Sequence, residues 1–339
     1  MNPSRGFVPE CGDYEERKPV IPADDPDITH IMKKKLLVLS LVLLLGTLLT
    51  ACGKGPKATV ITFSGAKATV TGPNKSAVKV ADGILTIGKA GTYELSGKGT
   101  LPIVVNVNGG NAVRLNMKGL DLTATKTSPI YIEEATMVVI NPMSGTQNII
   151  TDRHLYVKPE GESAEAEKDD APSAAIHSRA PLLIEGEGKL TVNGESYNGI
   201  SSGDTLTVKS GNLTITAEHH GLKGKDYVLI SGGTLNIKSE GDGIKSTNTE
   251  KASLGYINIT GGNITIRSDD EGIYAPSSIS VSGGNLYIKS KKPALQTLGK
   301  LNLTGGMIDI TTNSDALSCA SSDLSGDALI TVNGRPYSK

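Results

Sequence analysis

Apolar and polar residues alternate through most of the chain from about Leu182 to Cys319, and one short phrase returns there six times. The phrase ends at apolar positions separated by steps of 22, 22, 29, 22 and 22 residues, namely Ile200, Leu222, Ile244, Ile273, Leu295 and Leu317. A period of two is typical of strands with one buried face, whereas helices have a period of 3.6. Each copy of the repeat is therefore predicted to form short strands and no helix.

Aligned copies of the repeat keep the same columns apolar. One such column contains Leu206, Val228, Ile257, Ile279 and Leu301. A stack of coils requires this register, because each turn buries its residues on the equivalent residues of the previous turn. The sequence therefore predicts an all-β fold, a single-stranded right-handed parallel β-helix (solenoid) of about 22 residues per rung.

The first part of the chain reads as targeting sequence. Residues 1–31 are rich in Pro and charge and are interpreted as an upstream extension that the mature protein lacks. Three lysines and an apolar run then lead to Leu49-Thr50-Ala51-Cys52, which predicts a lipoprotein signal peptide over 32–51. Residues 52–57 are then predicted to form a tether that carries lipid on Cys52. The alternative, a spanning anchor, needs about 20 apolar residues, which is more than the run provides.

Three further segments are predicted from the pattern. Residues 58–157 alternate but are interrupted by Gly, Asn and Pro, and are interpreted as irregular N-terminal rungs with a cap. Residues 158–172 carry six acidic side chains without apolar spacing, which is typical of a solvated loop. Residues 173–339 are predicted to contain the regular rungs and a C-terminal cap.

Composition narrows the classes of partner. The chain has 339 residues with 40 Gly, two Phe and no Trp, which suits a thin solenoid filled by Ile, Leu and Val. Its net charge of −1 gives no general basic field, so nucleic acid is not expected as a partner. Cys11, Cys52 and Cys319 match no disulfide or metal spacing, and Cys319 is predicted to be a buried thiol. The protein is expected to be a monomer.

A ladder of residues precedes the recurrent apolar position by two places, at a predicted outward corner: Asn198, His220, Asp242, Glu271, Pro293 and Asp315. Consecutive rungs place the carboxylates of Asp242 and Glu271 about 5 Å apart. Such charges repel unless a cation or a basic side chain lies between them. The candidate calcium ligands are Asp242, Asp269, Asp270, Glu271 and Asp315.

Salt bridges are an equally supported alternative at this corner, because Lys223, Lys245, Lys291 and Lys292 lie near the acids in the repeat. His219 and His220 have no zinc-like partners and are predicted to be surface residues.

Two basic ladders flank the acidic corner. Lys223 and Lys245 follow buried positions on one strand of the repeat, and Lys238, Arg267 and Lys289 do so on another. Lysines on exposed strands also guard against aggregation, which is the plainer explanation for each one alone. Tyr256, Tyr274 and Tyr287 are predicted to point outward. Together with the acidic corner, the basic ladders are predicted to form a groove. Because the chain has no Trp for a broad stacking platform, this groove favours an acidic glycan, with Tyr274 beside the cationic residues.

Several phrases together resemble a known family: Gly91-Thr92-Tyr93-Glu94-Leu95-Ser96-Gly97, Asn148-Ile149-Ile150-Thr151-Asp152, Gly241-Asp242-Gly243-Ile244-Lys245-Ser246-Thr247-Asn248 and Asp269-Asp270-Glu271-Gly272-Ile273. The chain resembles the secreted clostridial-type carbohydrate-binding β-helix proteins. The resemblance implies binding to acidic pectic polymers and cellulose, calcium, and a fold similar to family 9 pectate lyases. Asn198, His220 and Pro293 depart from the acidic residue usual in the family, which implies fewer metal sites.

Three hypotheses follow from the sequence. The first is a lipoprotein on the extracellular face of a bacterial envelope that binds an acidic, polygalacturonate-like polysaccharide, or cellulose, through calcium and lysines. The second is a lyase acting by β-elimination, with Lys245 or Lys223 as the base and a cation neutralising the uronate carboxylate. The third is a structural surface spike. Binding without catalysis is favoured, because no second catalytic group is evident.

Overall fold

The computed structural model describes residues 57–155 and 172–337. From Ala58 onward, the described residues belong to one compact unit. The predicted upstream extension, signal peptide and lipid-bearing Cys52 lie outside the described residues, and so does the acidic stretch 158–171. Within the described ranges, no helix has the length and the apolar character needed to cross a membrane.

The first half of the described chain consists of strands and one 3₁₀ turn, η1, at Lys75–Ala77. The strands are β1 (Thr59–Gly65), β2 (Lys67–Thr71), β3 (Val78–Ala81), β4 (Ile84–Ile87), β5 (Gly91–Gly99), β6 (Ile103–Asn106), β7 (Val113–Ala124), β8 (Ile130–Glu134), β9 (Val138–Pro142), β10 (Gln147–Asp152), β11 (Ala174–Ser178), β12 (Leu182–Ile184), β13 (Lys189–Gly194), β14 (Asn198–Ser202) and β15 (Thr205–Val208).

The second half follows the repeat, with short strands joined by tight corners. The strands are β16 (Asn212–Ala217), β17 (Leu222–Gly224), β18 (Tyr227–Ile230), β19 (Thr234–Ser239), β20 (Ile244–Ser246), β21 (Tyr256–Ile259), β22 (Asn263–Ser268), β23 (Ile273–Ala275), β24 (Ser278–Ser290), β25 (Leu295–Thr297), β26 (Lys300–Thr312), β27 (Leu317–Ser318), β28 (Ser321–Asp323), β29 (Leu329–Val332) and β30 (Arg335–Pro336).

The strands form two sheets, one of 19 strands and one of 11. In the larger sheet, twelve strands make a closed circuit of parallel pairings, in the order β7, β9, β12, β15, β18, β21, β24, β22, β19, β16, β13, β10 and back to β7. This circuit is a closed 12-stranded parallel β-barrel. The prediction of an open right-handed solenoid is therefore wrong.

The circuit closes because β7 pairs with both β9 and β10, and β24 pairs with both β21 and β22. The first part of β24, up to Val281, pairs with β21, and the part from Asn285 onward pairs with β22. Between them lie Gly283 and Gly284, and Gly284 has a φ of +88°, a conformation that suits glycine. The chain bends there with a register shift against β26 instead of ending the strand.

The smaller sheet is ordered β27-β25-β23-β20-β17-β14-β11-β8-β6-β4-β3. Its pairs are parallel except β3 with β4, and the larger sheet has antiparallel pairs only at β1 with β2 and at β29 with β30. One continuous apolar core includes residues of both sheets, from Ile61 to Ala316. The thiol of Cys319 is half-buried rather than buried as predicted.

The predicted register between copies of the repeat is confirmed. Leu206 pairs with Val228, and the column continues residue on residue through Ile257, Ile279 and Leu301. All five side chains are buried. Burial of equivalent apolar residues on one another therefore fixes how consecutive copies align.

Candidate functional site

The corner ladder predicted from the repeat is present, and backbone hydrogen bonds hold it in register. In each copy, the N–H that follows a ladder residue donates to the carbonyl of the next ladder residue: Gly199 to His220 (2.9 Å), Gly221 to Asp242 (3.0 Å), Gly243 to Glu271 (3.0 Å), Gly272 to Pro293 (3.2 Å) and Ala294 to Asp315 (3.1 Å). Glycine suits this place because the copies approach closely. A Cβ added at Gly221 would lie 2.3 Å from Cγ2 of Ile237.

The first side chains of the ladder point along it toward the next ladder residue and not toward solvent. Oδ1 of Asn198 accepts the backbone N–H of His220 at 3.0 Å, and Nδ1 of His220 accepts that of Asp242 at 3.0 Å. Asn198, His220 and Asp242 are 0%, 4% and 1% exposed. The predicted outward orientation is therefore wrong for these three residues, and so is the predicted surface position of His220. Satisfaction of buried backbone N–H groups explains their orientation.

His220 is held in its neutral form. Because Nδ1 accepts a backbone hydrogen bond, the ring proton must reside on Nε2. Burial, and then the charges of Lys245, His219 and Lys223, lower the pKa of His220 well below its usual value. The 3.4 Å approach of its Nδ1 to Oδ2 of Asp242 is therefore not an ion pair.

Three carboxylates meet at the centre of the corner. Asp242, Asp270 and Glu271 each have an oxygen within 4.8 Å of one from each of the other two, and we call these residues the acidic cluster. Two lysines compensate part of the charge: Nζ of Lys245 is 3.0 Å from Oδ2 of Asp242, and Nζ of Lys292 is 2.5 Å from Oδ1 of Asp270. Two of the four lysines considered from the sequence, Lys245 and Lys292, thus form salt bridges with the cluster, and a cation there would have to compete with them.

The carboxyls of the cluster titrate unequally. Burial, hydrogen bonds with Asp270 and Asp242, and the charge of Asp242 raise the pKa of Glu271 to about 8. Burial also acts to raise the pKa of Asp270, but the hydrogen bonds from Glu271 and Lys292 and the charges of Lys292 and Lys245 lower it overall. The hydrogen bond to Asp270 raises the pKa of Lys292. At neutral pH the cluster therefore carries a proton on Glu271.

Two predicted ligands lie outside the acidic cluster. Asp269 is paired with Lys291 at 2.8 Å on the exposed surface. The Asp315 side chain is exposed, and this residue contributes its backbone carbonyl to the ladder through the N–H of Ala294. The cluster thus contains three of the five residues expected from the sequence.

Both predicted basic ladders are in register. On the smaller sheet, Lys223 pairs with Lys245, and Lys245 with Tyr274, whose ring centroid is 5.2 Å from Nζ of Lys245. Lys223 is only 5% exposed, so its predicted outward position is wrong. On the larger sheet, the exposed Lys238, Arg267 and Lys289 form the second column. Because the corner 240–243 joins β19 to β20, it connects the strands that carry the two columns.

Sequence reasoning missed the aromatic contacts around the repeat. The rings of Tyr197 and His219 stack with centroids 4.2 Å apart, and those of Tyr227 and Tyr256 stack at 4.9 Å. In both pairs the residues occupy equivalent positions of adjacent copies, so an alignment of the copies could have predicted these contacts. Tyr287 is 39% exposed, in line with its predicted outward position.

The chain belongs to the family of carbohydrate-binding domain-containing proteins, whose family model matches residues 81–295. This range includes the ladder from Asn198 to Pro293 and the whole acidic cluster. A protein of the same description from Acetivibrio thermocellus is 35% identical over 198 residues, which are 55% of this chain and 66%, just under two thirds, of the relative.

The fold is also similar to a solved structure. This structure is described as the polysaccharide lyase-like protein from C. thermocellum, in a gadolinium derivative. The two share 29% identity with a TM-score of 0.61, over 81% of this chain and 97% of the other.

Proposed function

We propose that the protein binds an acidic polysaccharide of the polygalacturonate type through a calcium ion at Asp242, Asp270 and Glu271. The observation that carries this proposal is the meeting of three carboxylates within 4.8 Å at the corner that joins two in-register basic columns. A site with both a cation and lysines is suited to a polymer that bears one carboxylate on each sugar.

The donor set of the acidic cluster fits calcium. Calcium takes six to eight oxygen ligands in flexible geometry, and three carboxylates supply several of them. The proton on Glu271 marks a place where negative charge is incompletely compensated. The gadolinium used with the structural neighbour is also a hard cation that prefers oxygen. Uronate carboxylates and solvent would complete the coordination sphere.

The basic columns provide the rest of the binding surface. Lys238, Arg267 and Lys289 lie on successive paired strands, so their charges recur at about 4.8 Å. Such a row favours a linear polyanion over a compact one. On the smaller sheet, the half-buried Lys245 and Tyr274 form the corresponding row, and the buried Lys223 lies beneath this surface in the same column. Cellulose carries no carboxylate, so the charges of this site favour pectic acid over it.

A retention experiment tests this function. The purified protein is mixed with insoluble polygalacturonate in calcium and in chelator, and the bound fraction is measured. We expect clearly stronger retention in calcium than in chelator. Glu271→Gln should abolish the difference, while Asp315→Asn, which removes a predicted ligand outside the cluster, should leave it unchanged. Equal retention of the wild type in both buffers would contradict the proposal.

A lyase is the second candidate, because the structural neighbour is described as polysaccharide lyase-like. In β-elimination, a base removes the proton beside the uronate carboxylate, a C=C bond forms, the glycosidic C–O bond breaks, and the leaving oxygen takes up a proton to become a hydroxyl. Nζ of Lys245 is already paired with Oδ2 of Asp242 at 3.0 Å, so Lys245 would have to leave this ion pair before it could act as the base. Rising ultraviolet absorbance from unsaturated ends would show that the protein is a lyase. Lys245→Met should then remove the activity, and Lys223 is the next residue to change.

We further propose that a lipid on Cys52 attaches the protein, as a monomer, to the extracellular face of a bacterial envelope. The basis is the Leu49-Thr50-Ala51-Cys52 phrase after the apolar run. Metabolic labelling with a fatty acid should mark the wild type and not Cys52→Ser.

A further inference from the structure

Two tyrosine rings are stacked on the larger sheet, on strands that do not contribute to the acidic cluster. Tyr227 begins β18, Tyr256 begins β21, and the two residues are register partners. Their ring centroids are 4.9 Å apart and their planes differ by 17°. The distance equals the usual spacing of neighbouring strands, about 4.7–4.9 Å. The rings therefore stack along the direction in which one strand follows another, and the second face of Tyr256 is turned toward the next strand.

The next strand carries no ring at this position. Ser278 is the partner of Tyr256, and Lys300 is the partner of Ser278. Ser278 therefore places a small side chain between Tyr256 and Lys300 in this row, and we call the space over Ser278 the slot. Lys300 is exposed, and its Nζ is 3.9 Å from Oδ2 of Asp323, a loose surface pair that costs little to replace.

We infer that this slot binds a sugar residue that carries a carboxylate, with the apolar face of the sugar on Tyr256 and the carboxylate at Lys300. The C–H groups on that face of a sugar carry partial positive charge and are attracted to the negative face of an aromatic ring. The ammonium group of Lys300 donates to the carboxylate. The ligand class rests on the proposed function, but the slot uses neither the acidic cluster nor a cation.

The tyrosine pair is organised before any ligand arrives. Tyr227 fixes one face of Tyr256, so little conformational freedom remains to be lost on binding. Burial, together with Tyr227 and Asp226, raises the pKa of Tyr256 to about 12, so its phenol stays neutral and does not repel an anion. The neighbouring carboxylate of Asp226 is itself hydrogen-bonded, because Nδ2 of Asn248 donates to its Oδ1 at 2.8 Å.

Two matched substitutions test the slot. Ser278→Tyr extends the stack by one ring and fills the slot, whereas Thr205→Tyr extends it at the opposite end, beside Tyr227, and leaves the slot open. The probe is digalacturonate, titrated by calorimetry in chelator so that the cation site does not contribute. We expect the wild type and Thr205→Tyr to bind equally, and Ser278→Tyr to bind about tenfold more weakly or worse.

A spectroscopic readout separates a blocked slot from misfolding. The chain contains ten Tyr and no Trp, so a change in near-ultraviolet circular dichroism on binding comes chiefly from tyrosine. Digalacturonate should change this signal in the wild type and not in Ser278→Tyr, while both keep the same far-ultraviolet spectrum and melting temperature. Absence of chelator-resistant binding in the wild type, or full-strength binding by Ser278→Tyr, would overturn the inference. Neither result affects calcium-dependent retention, which tests the proposed function separately.

Discussion

The backbone N–H of Glu271 donates to Oδ1 of Asp242 across adjacent copies of the repeat, at 3.1 Å. This bond fixes two carboxyl groups close together, with one of them 1% exposed. The carboxyl oxygens of Asp242 and Glu271 lie within 4.8 Å of each other, so ionisation of both groups is unfavourable. The pair therefore retains a proton unless positive charge is supplied. The acidic cluster therefore links protonation, salt bridges and cation binding at one corner of the fold.

Replacement of Glu271 should change how stability depends on pH. The pKa of Glu271 is about 8 in the folded protein against 4.5 ordinarily, so the folded state holds a proton that the unfolded state has lost between these values. Stability from this group thus falls as pH rises through the window. Glu271→Gln keeps a hydrogen-bond donor without the titration. Its melting temperature in chelator, relative to the wild type, should rise from pH 5 to pH 8. A constant difference would contradict the raised pKa.

Calcium binding should release a proton at neutral pH. A ligating Glu271 must be ionised, and below about pH 8 it is protonated in the cation-free protein. The apparent calcium affinity should therefore rise with pH up to about 8 and then level off. Calorimetry in two buffers of different ionisation enthalpy measures the released proton. Identical heats in both buffers at pH 7 would exclude Glu271 as a ligand.

Removal of Lys245 should affect calcium and stability in opposite directions. Lys245→Met leaves the buried Asp242 carboxylate without its 3.0 Å partner. Breaking such a pair costs about 3–5 kcal/mol when it is fully buried, and less here because Lys245 is partly exposed. We expect a lower melting temperature in chelator and tighter calcium binding, because the ion no longer competes with the ammonium group. Lys291→Met, at an exposed pair, is the control and should change neither quantity.

The corner glycines should be intolerant of side chains. In Gly221→Ala, the new Cβ would lie 2.3 Å from Ile237 and 2.7 Å from the carbonyl oxygen of Gly243. Relief of such a clash requires backbone movement and should cost roughly 1–3 kcal/mol of the free energy of unfolding. Gly88→Ala, where the nearest atom is 3.4 Å away, should cost less. Denaturant unfolding of the two variants gives the comparison, and equal losses would show that the corner is not closely packed.

Periodicity predicted the alignment of the copies well. The column from Leu206 to Leu301 and the ladder from Asn198 to Asp315 have the expected register, although the first ladder side chains do not point outward, because equivalent residues in a repeat must meet equivalent neighbours. The closure of the larger sheet was not predictable in this way. It depends on β24 continuing through Gly283 and Gly284, and the pattern does not distinguish a bend from a break at glycine.

The acidic cluster was predicted in part for a similar reason. Asp242 and Glu271 occupy equivalent positions in consecutive copies, so their proximity was predictable, and Asp270 is the sequence neighbour of Glu271. Asp315 occupies the same ladder but is two copies from Glu271, too far to join the cluster. The burial of His220 follows from a backbone N–H that needs an acceptor, a requirement of the folded chain that residue type alone does not reveal.

A crystal structure with calcium and a short oligogalacturonate, with anomalous scattering to locate the ion, would show whether the acidic cluster binds calcium and a uronate together. We expect an ion bound by Asp242, Asp270 and Glu271 together with a uronate carboxylate, and Lys245 displaced from Asp242. If Lys245 and Lys292 keep their pairs with Asp242 and Asp270 while the sugar binds elsewhere without an ion, the corner is a salt-bridged edge and the claim is contradicted.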